Sequence, residues 1–480
     1  VPGVSKDRGA LAIVLHTHMP YVEGFGTWPF GEEWLWEAIT TSYLPLLDLL
    51  DAGAPLTLSL TPVLCDQLEG QGVSERYTAF LDQVRRHTHH EDARGLRAGG
   101  HDALADEVLR SWGDYERALV RSAELGGDLL GALAPHAQWT SAATHAVLPL
   151  LATDAGLDAQ VSAGIVSHRA RFGSDWRGGF WLPECAHAPW IEPTLSDAGV
   201  HTTCVELTNA FGPDSPRHLQ PLLSESGLRL LPLDRATISL VWSDQGYPAH
   251  GDYRDYHHHT IHHHNPWANR GGGYDHQRAL ALARTHAADF VAQTRARVDR
   301  LGAGLPGGGL LTCALDTELL GHWWYEGVAW LAAVIEECAA QGLELVRLDG
   351  ALERFEPAPA TGIWQDAEQV TTWGAHGDLS TWSAPAVADI AFATRAAELA
   401  AIRAGTDLGP AALRQLLALQ SSDWAFMVSR ELAVPYARQR FEGHHRGFYD
   451  ALAQGPSASV EPLRKLAISP SAMSSAQRAS

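Results

Sequence analysis

Short apolar runs alternate with amphipathic stretches along this chain, and that rhythm predicts most of its fold. Residues 10–15 form a continuous apolar run and read as a buried strand. The run ends in His16-Thr17-His18-Met19-Pro20, where Pro20 stops the pairing because it has no N–H to donate. Side chains alternate along a strand, so His16 and His18 share one face. A loop through Trp28-Pro29-Phe30 leads into a helix expected to reach about Leu50, and residues 55–64 read as a second strand centred on 57–62. From about Asp66 to Ala137 the pattern turns helical and charged, with 3.6-residue spacing at 79–84 and 103–109. Residues 140–145 introduce a predicted helix over 146–151. Strand and helix signals then alternate to about Leu348, which implies a parallel sheet closed or nearly closed as a barrel.

The pattern changes beyond Pro357. Residues 357–362 are linker-like, and helical patterns follow at 386–404, 408–418 and 424–442. Residues 467–480 are rich in Ser and Ala and are expected to be disordered. The expected division is a catalytic barrel over 1–65 and 138–356, a helical insertion over 66–137, and a C-terminal helical domain over 357–480. Two loops stand apart. Residues 242–251 are rich in turn formers and make a candidate mobile lid. The stretch 257–264 holds six histidines in eight residues and would bind divalent metals adventitiously.

Composition narrows the function. With 480 residues, 45% of them apolar, the chain can bury a large core in more than one structural unit. It has no run of 18 uncharged apolar residues, and its first eight residues lack a signal peptide's apolar region. Its five cysteines (Cys65, Cys185, Cys204, Cys313 and Cys338) are scattered and form no Cys-x-x-Cys. A cytoplasmic location with reduced thiols and no membrane partner is the expectation. The net charge of −21 repels nucleic acid but is indifferent to a neutral glucan. Seventeen tryptophans, many beside Gly, Pro or charged residues, suit a carbohydrate cleft. Nothing in the sequence fixes the oligomeric state.

The candidate chemistry lies in two segments of similar design. In 179–188 the apolar run Gly-Phe-Trp-Leu reads as the end of a strand, Pro183 stops the ladder, and Glu184 follows. In 311–327 an apolar strand ends at Asp316, and aromatics follow. Carboxylates at the C-terminal ends of barrel strands sit where such folds keep their chemistry. Two of them among aromatics suit retaining glycoside chemistry, in which one attacks the anomeric carbon and the other exchanges a proton across a gap of roughly 5–5.5 Å. Cys185 beside Glu184 lacks an evident base partner and is the weaker nucleophile. Histidines at i and i+2 on a strand can bind zinc, usually with an aspartate close by. None adjoins His16 and His18, so neutral histidines hydrogen-bonded to sugar hydroxyls are expected, with no metal and no cofactor.

Five segments in order carry a family resemblance: Leu15-His16-Thr17-His18-Met19-Pro20 with the following Trp28-Pro29-Phe30-Gly31-Glu32; Thr144-His145; Trp181-Leu182-Pro183-Glu184-Cys185-Ala186; Asp316 to Trp324; and Trp373-Gly374-Ala375-His376-Gly377-Asp378 with Trp382. Together they resemble glycoside hydrolase family 57, most of all its α-1,4-glucan branching enzymes. The forms His-Thr-His-Met-Pro, Leu-Pro-Glu-Cys-Ala and Gly-His-Trp-Trp carry the narrower likeness. The resemblance implies an incomplete (β/α)7 barrel with a helical insertion and a C-terminal helical domain. It implies Glu184 as nucleophile, Asp316 as general acid/base, and His16, His18 and His145 around the sugar at the cleavage point. Trp28, Trp267, Trp373, Trp382 and Trp424 would line the donor and acceptor grooves, with His322 also binding substrate and Tyr247 as the lid residue. The implied substrate is an α-1,4-glucan. Alternatives are a 4-α-glucanotransferase or α-amylase of the same family, a zinc-dependent glycosidase or deacetylase, and a non-catalytic glucan-binding protein. The presence of both acids disfavours the last.

Overall fold

Seven short parallel strands curve into a ring: β1 (Ala10–Thr17), β2 (Thr57–Leu60), β3 (Ala137–Ser141), β4 (Phe180–Trp181), β5 (Thr202–Val205), β6 (Arg229–Pro232) and β7 (Leu310–Asp316). The structure is a computed structural model and describes residues 9–25, 31–364, 369–458 and 466. Ladders join β7, β1, β2, β3 and β4 in that order, and a separate ladder joins β5 to β6. Between the two ladders the described residues form only isolated bridges, Gly179 with Thr202 and Leu233 with Thr312. The barrel is therefore an incomplete seven-stranded one, as expected. Three short strands border it: Leu222–Leu223 beside β6, Ala358–Pro359 beside Leu222–Leu223, and Glu344–Leu345 beside β1.

The sequence explains why β1 is central. Every residue of it is buried, as a parallel strand covered on both faces requires. Its register sets His16 beside Ser59 on β2 and beside Asp316 on β7, so three polar groups meet at one end of the ring. Gly179 is needed at the start of β4, since a Cβ there would lie 2.2 Å from the Trp139 indole.

The structure corrects several expected elements. Pro62 opens the helix Pro62–Leu68 instead of lying in the second strand, because a proline suits the first turn of a helix. Residues 137–141 form β3, which the alternation signal did not resolve. The predicted helix at 146–151 is only a 3-10 turn, Leu148–Leu150 with Pro149 inside it, and the true helix is Asp154–Phe172. The linker-like 357–362 contributes a strand. The last predicted helix is two, Ser422–Ser429 and Val434–Gln454, broken where Glu431 and Ala433 take positive φ and Pro435 sits in the next first turn.

Between β2 and β3 run the helices Val73–Ala79, Arg86–Ala98, Asp102–Glu124 and Leu129–Leu133. Ala388–Ala404 and Pro410–Leu419 precede the final two helices. This C-terminal set is tied to the barrel after β3. Ala146 bridges Ser421, the Ser422 N–H donates to the His145 carbonyl at 3.0 Å, and Gln160 donates to Gln420 at 2.9 Å. No helix among the described residues is long and apolar enough to cross a membrane. The tail 467–480 and the first eight residues lie outside the described residues.

Candidate active site

Glu184 and Asp316 stand at the C-terminal ends of their strands, as a barrel site requires. After β4 the chain turns through Pro183–Cys185 with Glu184 at φ 59° and Cys185 at φ 47°. Side chains rarely adopt this left-handed backbone, and such strain gathers at functional sites. His145, just beyond β3, has the same sign, φ 61°.

The segment after Ile363 fixes the Glu184 loop. The Thr372 hydroxyl donates to the Glu184 carbonyl at 2.6 Å, and the Trp373 N–H donates to the same oxygen at 3.3 Å. The carboxylate itself accepts from the Trp373 indole at Oε2 (3.3 Å) and from the Ser422 hydroxyl at Oε1 (3.0 Å). His145 Nδ1 lies 3.8 Å from Oε1. The Glu184 side chain keeps 15% of its exposure, enough for a ligand to reach it.

Of the three histidines, His18 lies face to face with His145, and His16 lies edge to edge with it. His145 lies 4.0 Å from His18 and 5.0 Å from His16 between ring centres, and a face of His16 rests on Trp181 at 4.7 Å. Trp373 meets Trp181 edge to face. His16 and His145 share a 2.9 Å contact between their Nε2 atoms. His18 contacts Thr61 through Nδ1 at 3.2 Å and Asp423 through Nε2 at 3.0 Å. An aspartate does serve this pair, then, but it comes from 405 residues away. The ligand atoms of His18, His145 and Asp423 lie within 4.8 Å of one another, the one such grouping among the described residues. Their nitrogens and oxygens are engaged with one another and with His16, Thr61 and Ser422.

Electrostatics set the two carboxyls apart from ordinary ones. Burial lifts Glu184 to about 7 against the pull of the Trp373 and Ser422 hydrogen bonds, with the Asp423 charge adding to the rise. Burial, and then the charge of Glu184, lift Asp316 to about 7, while His18 draws it down. Raised to about 7, each carboxyl can take up or give up a proton near neutrality. His16 and His145 are held well below the usual histidine range by burial and by their histidine neighbours, and are neutral. Behind Asp316, Glu318 is raised to about 8 by burial and accepts from the Tyr43 hydroxyl at 2.6 Å and the His18 N–H at 3.2 Å.

The remaining candidates are spread more widely. Trp382 is buried, with its ring over Gly374 in the Trp373 loop. Trp424 is fully buried and its indole donates to the Ala418 carbonyl at 2.8 Å; it has no open face for a sugar and packs the core instead of lining a groove. Tyr247 is tethered to Asp289 at 2.6 Å and stacked on His286, against the outer helix His276–Leu301, and no contact joins it to Glu184 or Asp316. Trp267 stacks on His258 at 3.9 Å, and His322 meets Tyr256 and Trp323. Trp28 lies outside the described residues. The histidine-rich loop is pinned to the insertion: His262 contacts Asp92 at 2.6 Å and the His264 ring lies 3.8 Å from that of His89. Sequence reasoning missed Ser422 and Asp423. Their one signal is the polar run Ser421-Ser422-Asp423 set between apolar helices.

A family model of glycosyl hydrolase family 57 matches residues 139–361, and one of the 1,4-alpha-glucan branching enzyme C-terminal region matches residues 392–467. A 1,4-alpha-glucan branching enzyme of Thermococcus kodakarensis is 30% identical, over 92% of this chain and 73% of that protein. A probable 1,4-alpha-glucan branching enzyme of Mycobacterium tuberculosis is 30% identical over 94% of each chain. The crystal structure of a GH57-type branching enzyme from Pyrococcus horikoshii matches with a TM-score of 0.85 at 28% identity, covering 95% of this chain and 94% of that one.

Proposed function

The chain belongs to glycosyl hydrolase family 57, and on that premise we propose that it is a retaining α-glucan branching enzyme, cutting α-1,4 bonds and rejoining the freed segment to a 6-hydroxyl. The observation that carries the chemistry is the pair Glu184 and Asp316, two strand-end carboxyls each raised to about 7. The match of residues 392–467 to the branching enzyme C-terminal region, together with the branching relatives, favours transfer to a 6-hydroxyl over hydrolysis.

In the first step protonated Asp316 gives its proton to the glycosidic oxygen while the Glu184 carboxylate bonds to C1, and the C1–O4 bond breaks. The departing chain carries the proton on its new 4-hydroxyl. Glu184 is left as a glycosyl ester and Asp316 as a carboxylate. In the second step Asp316 takes the proton of an acceptor 6-hydroxyl as that oxygen bonds to C1 and Glu184 leaves. The Asp423 carboxylate, which can accept more than its His18 and Ser421 contacts, offers polar contacts to hydroxyls of the reacting sugar, and the partly exposed Trp373 restricts water.

Proton NMR of linear amylose treated with the enzyme, with reducing ends assayed in parallel, tests this. New α-1,6 signals with few new reducing ends are expected. Reducing ends without α-1,6 signals would make it a hydrolase, and redistributed linear chains with neither would make it a 4-α-glucanotransferase.

A further inference from the structure

A continuous file of hydrogen bonds runs from Ser59, near the C-terminal end of β2, to Glu184. Ser59 Oγ lies 3.4 Å from His16 Nδ1, and His16 Nε2 lies 2.9 Å from His145 Nε2. His145 Nδ1 lies 2.9 Å from Ser422 Oγ, and Ser422 donates to Glu184 Oε1 at 3.0 Å. All but the carboxylate end are buried, and both imidazoles are neutral.

We infer that Ser422, carried in by the C-terminal helices, is a positioning residue for Glu184 and the last member of a one-way hydrogen-bond chain, Ser59 to His16 to His145 to Ser422 to Glu184. The direction follows from donor counting. An ionised carboxylate only accepts, so the single Ser422 hydrogen points at Oε1. Ser422 therefore accepts from His145, which must carry its proton on Nδ1. A neutral His145 then has a lone pair on Nε2 and accepts from His16, whose proton sits on Nε2. His16 Nδ1 is left as the acceptor of the Ser59 hydroxyl. The two histidines thus hold opposite tautomers, each fixed by the bond its other nitrogen makes.

The hardware around Ser422 matches this role. Its backbone N–H donates to the His145 carbonyl, so the two residues grip each other twice. The left-handed backbone at His145 and Glu184 is thereby held against the same serine. A charge-assisted hydrogen bond on one carboxylate oxygen, with Trp373 on the other, fixes the rotation of the carboxylate before attack.

The inference rests on reading Glu184 as the nucleophile, and its test is separable from that reading. The protein is labelled with ¹⁵N-histidine and the ring signals of His16 and His145 are assigned by His16→Gln and His145→Gln. The wild type should show His145 as the Nδ1–H form and His16 as the Nε2–H form. Ser422→Ala should lose about tenfold or more in kcat on amylose, as expected for a hydrogen bond to a charged group, with Ser422→Thr restoring most of it. A wild-type His145 protonated on Nε2, or on both nitrogens, overturns the chain even where Ser422→Ala fails to fold. Full activity in folded Ser422→Ala overturns it too. Turnover surviving in Glu184→Gln would instead overturn the nucleophile assignment and leave the wild-type tautomers as measured.

Discussion

Asp423 holds His18 at 3.0 Å across 405 residues of chain. The first strand and a C-terminal helix thus complete one polar cluster beside Glu184 and Asp316. Asp423→Ala should release the ring while Thr61 still contacts Nδ1. A loss of about tenfold to a hundredfold in kcat/KM is expected, with little change in melting temperature, since one hydrogen bond to a charged group is at stake. Kinetics on amylose alongside thermal melts check it. In the same assay EDTA should leave wild-type activity unchanged; a loss restored by zinc would make His18, His145 and Asp423 metal ligands.

The paired carboxyls predict two pH responses. Turnover needs one of them ionised and one protonated, so kcat/KM should peak near neutrality and fall on both sides. Stability should respond differently. Asp316 binds its proton more tightly when folded, about 7 against an unfolded value near 3.9, so folding is opposed by its ionisation. That opposition is absent below about pH 4, grows as pH rises, and is complete above about pH 7. Asp316→Asn should therefore raise the melting temperature at pH 8 but not at pH 4. A gain that is equal at both values would contradict the assignment.

Trp373→Phe keeps an aromatic face beside Trp181 but removes the indole N–H that reaches Glu184 Oε2. The expected result is a fall in kcat of about tenfold with KM nearly unchanged. A rise in KM alone would make Trp373 a binding platform and nothing more.

Trp424 and Trp267 should behave oppositely. Trp424 is wholly buried, so Trp424→Ala should destabilise the fold by about 3–5 kcal/mol. Trp267 keeps partial exposure beside His258, and Trp267→Ala should weaken amylose binding with little loss of stability. Denaturant unfolding and binding titrations on both variants decide the matter.

What the sequence disclosed follows the range of the interactions involved. β1 and β7 are continuous apolar runs, and the ends that carry His16, His18 and Asp316 could be read from them directly. Pro183 likewise marked the turn that presents Glu184. Strand β3 was hidden because Ala137-Gln138-Trp139-Thr140-Ser141 has too little apolar contrast, and its burial comes from neighbours on both sides. Ser422 and Asp423 were out of reach, since their meaning lies in partners 238 and 405 positions away. Trp424, the conspicuous aromatic beside them, turned out to be core. Loop composition marks 242–251 as a lid and the family resemblance offers Tyr247 as its residue, but neither carries the Asp289 contact that tethers it.

The tie between Ser422 and the loop at His145 has a consequence for when this protein becomes competent during synthesis. A ribosome that has made the barrel has already made Glu184 and Asp316, yet neither Ser422 nor Asp423 exists until more than a hundred further residues follow Asp316. The nascent barrel thus holds two carboxyls without the hydroxyl that orients one of them or the aspartate that anchors His18. On the roles proposed for Ser422 and Asp423, glucan cutting reaches its full rate only when the last helices emerge and dock.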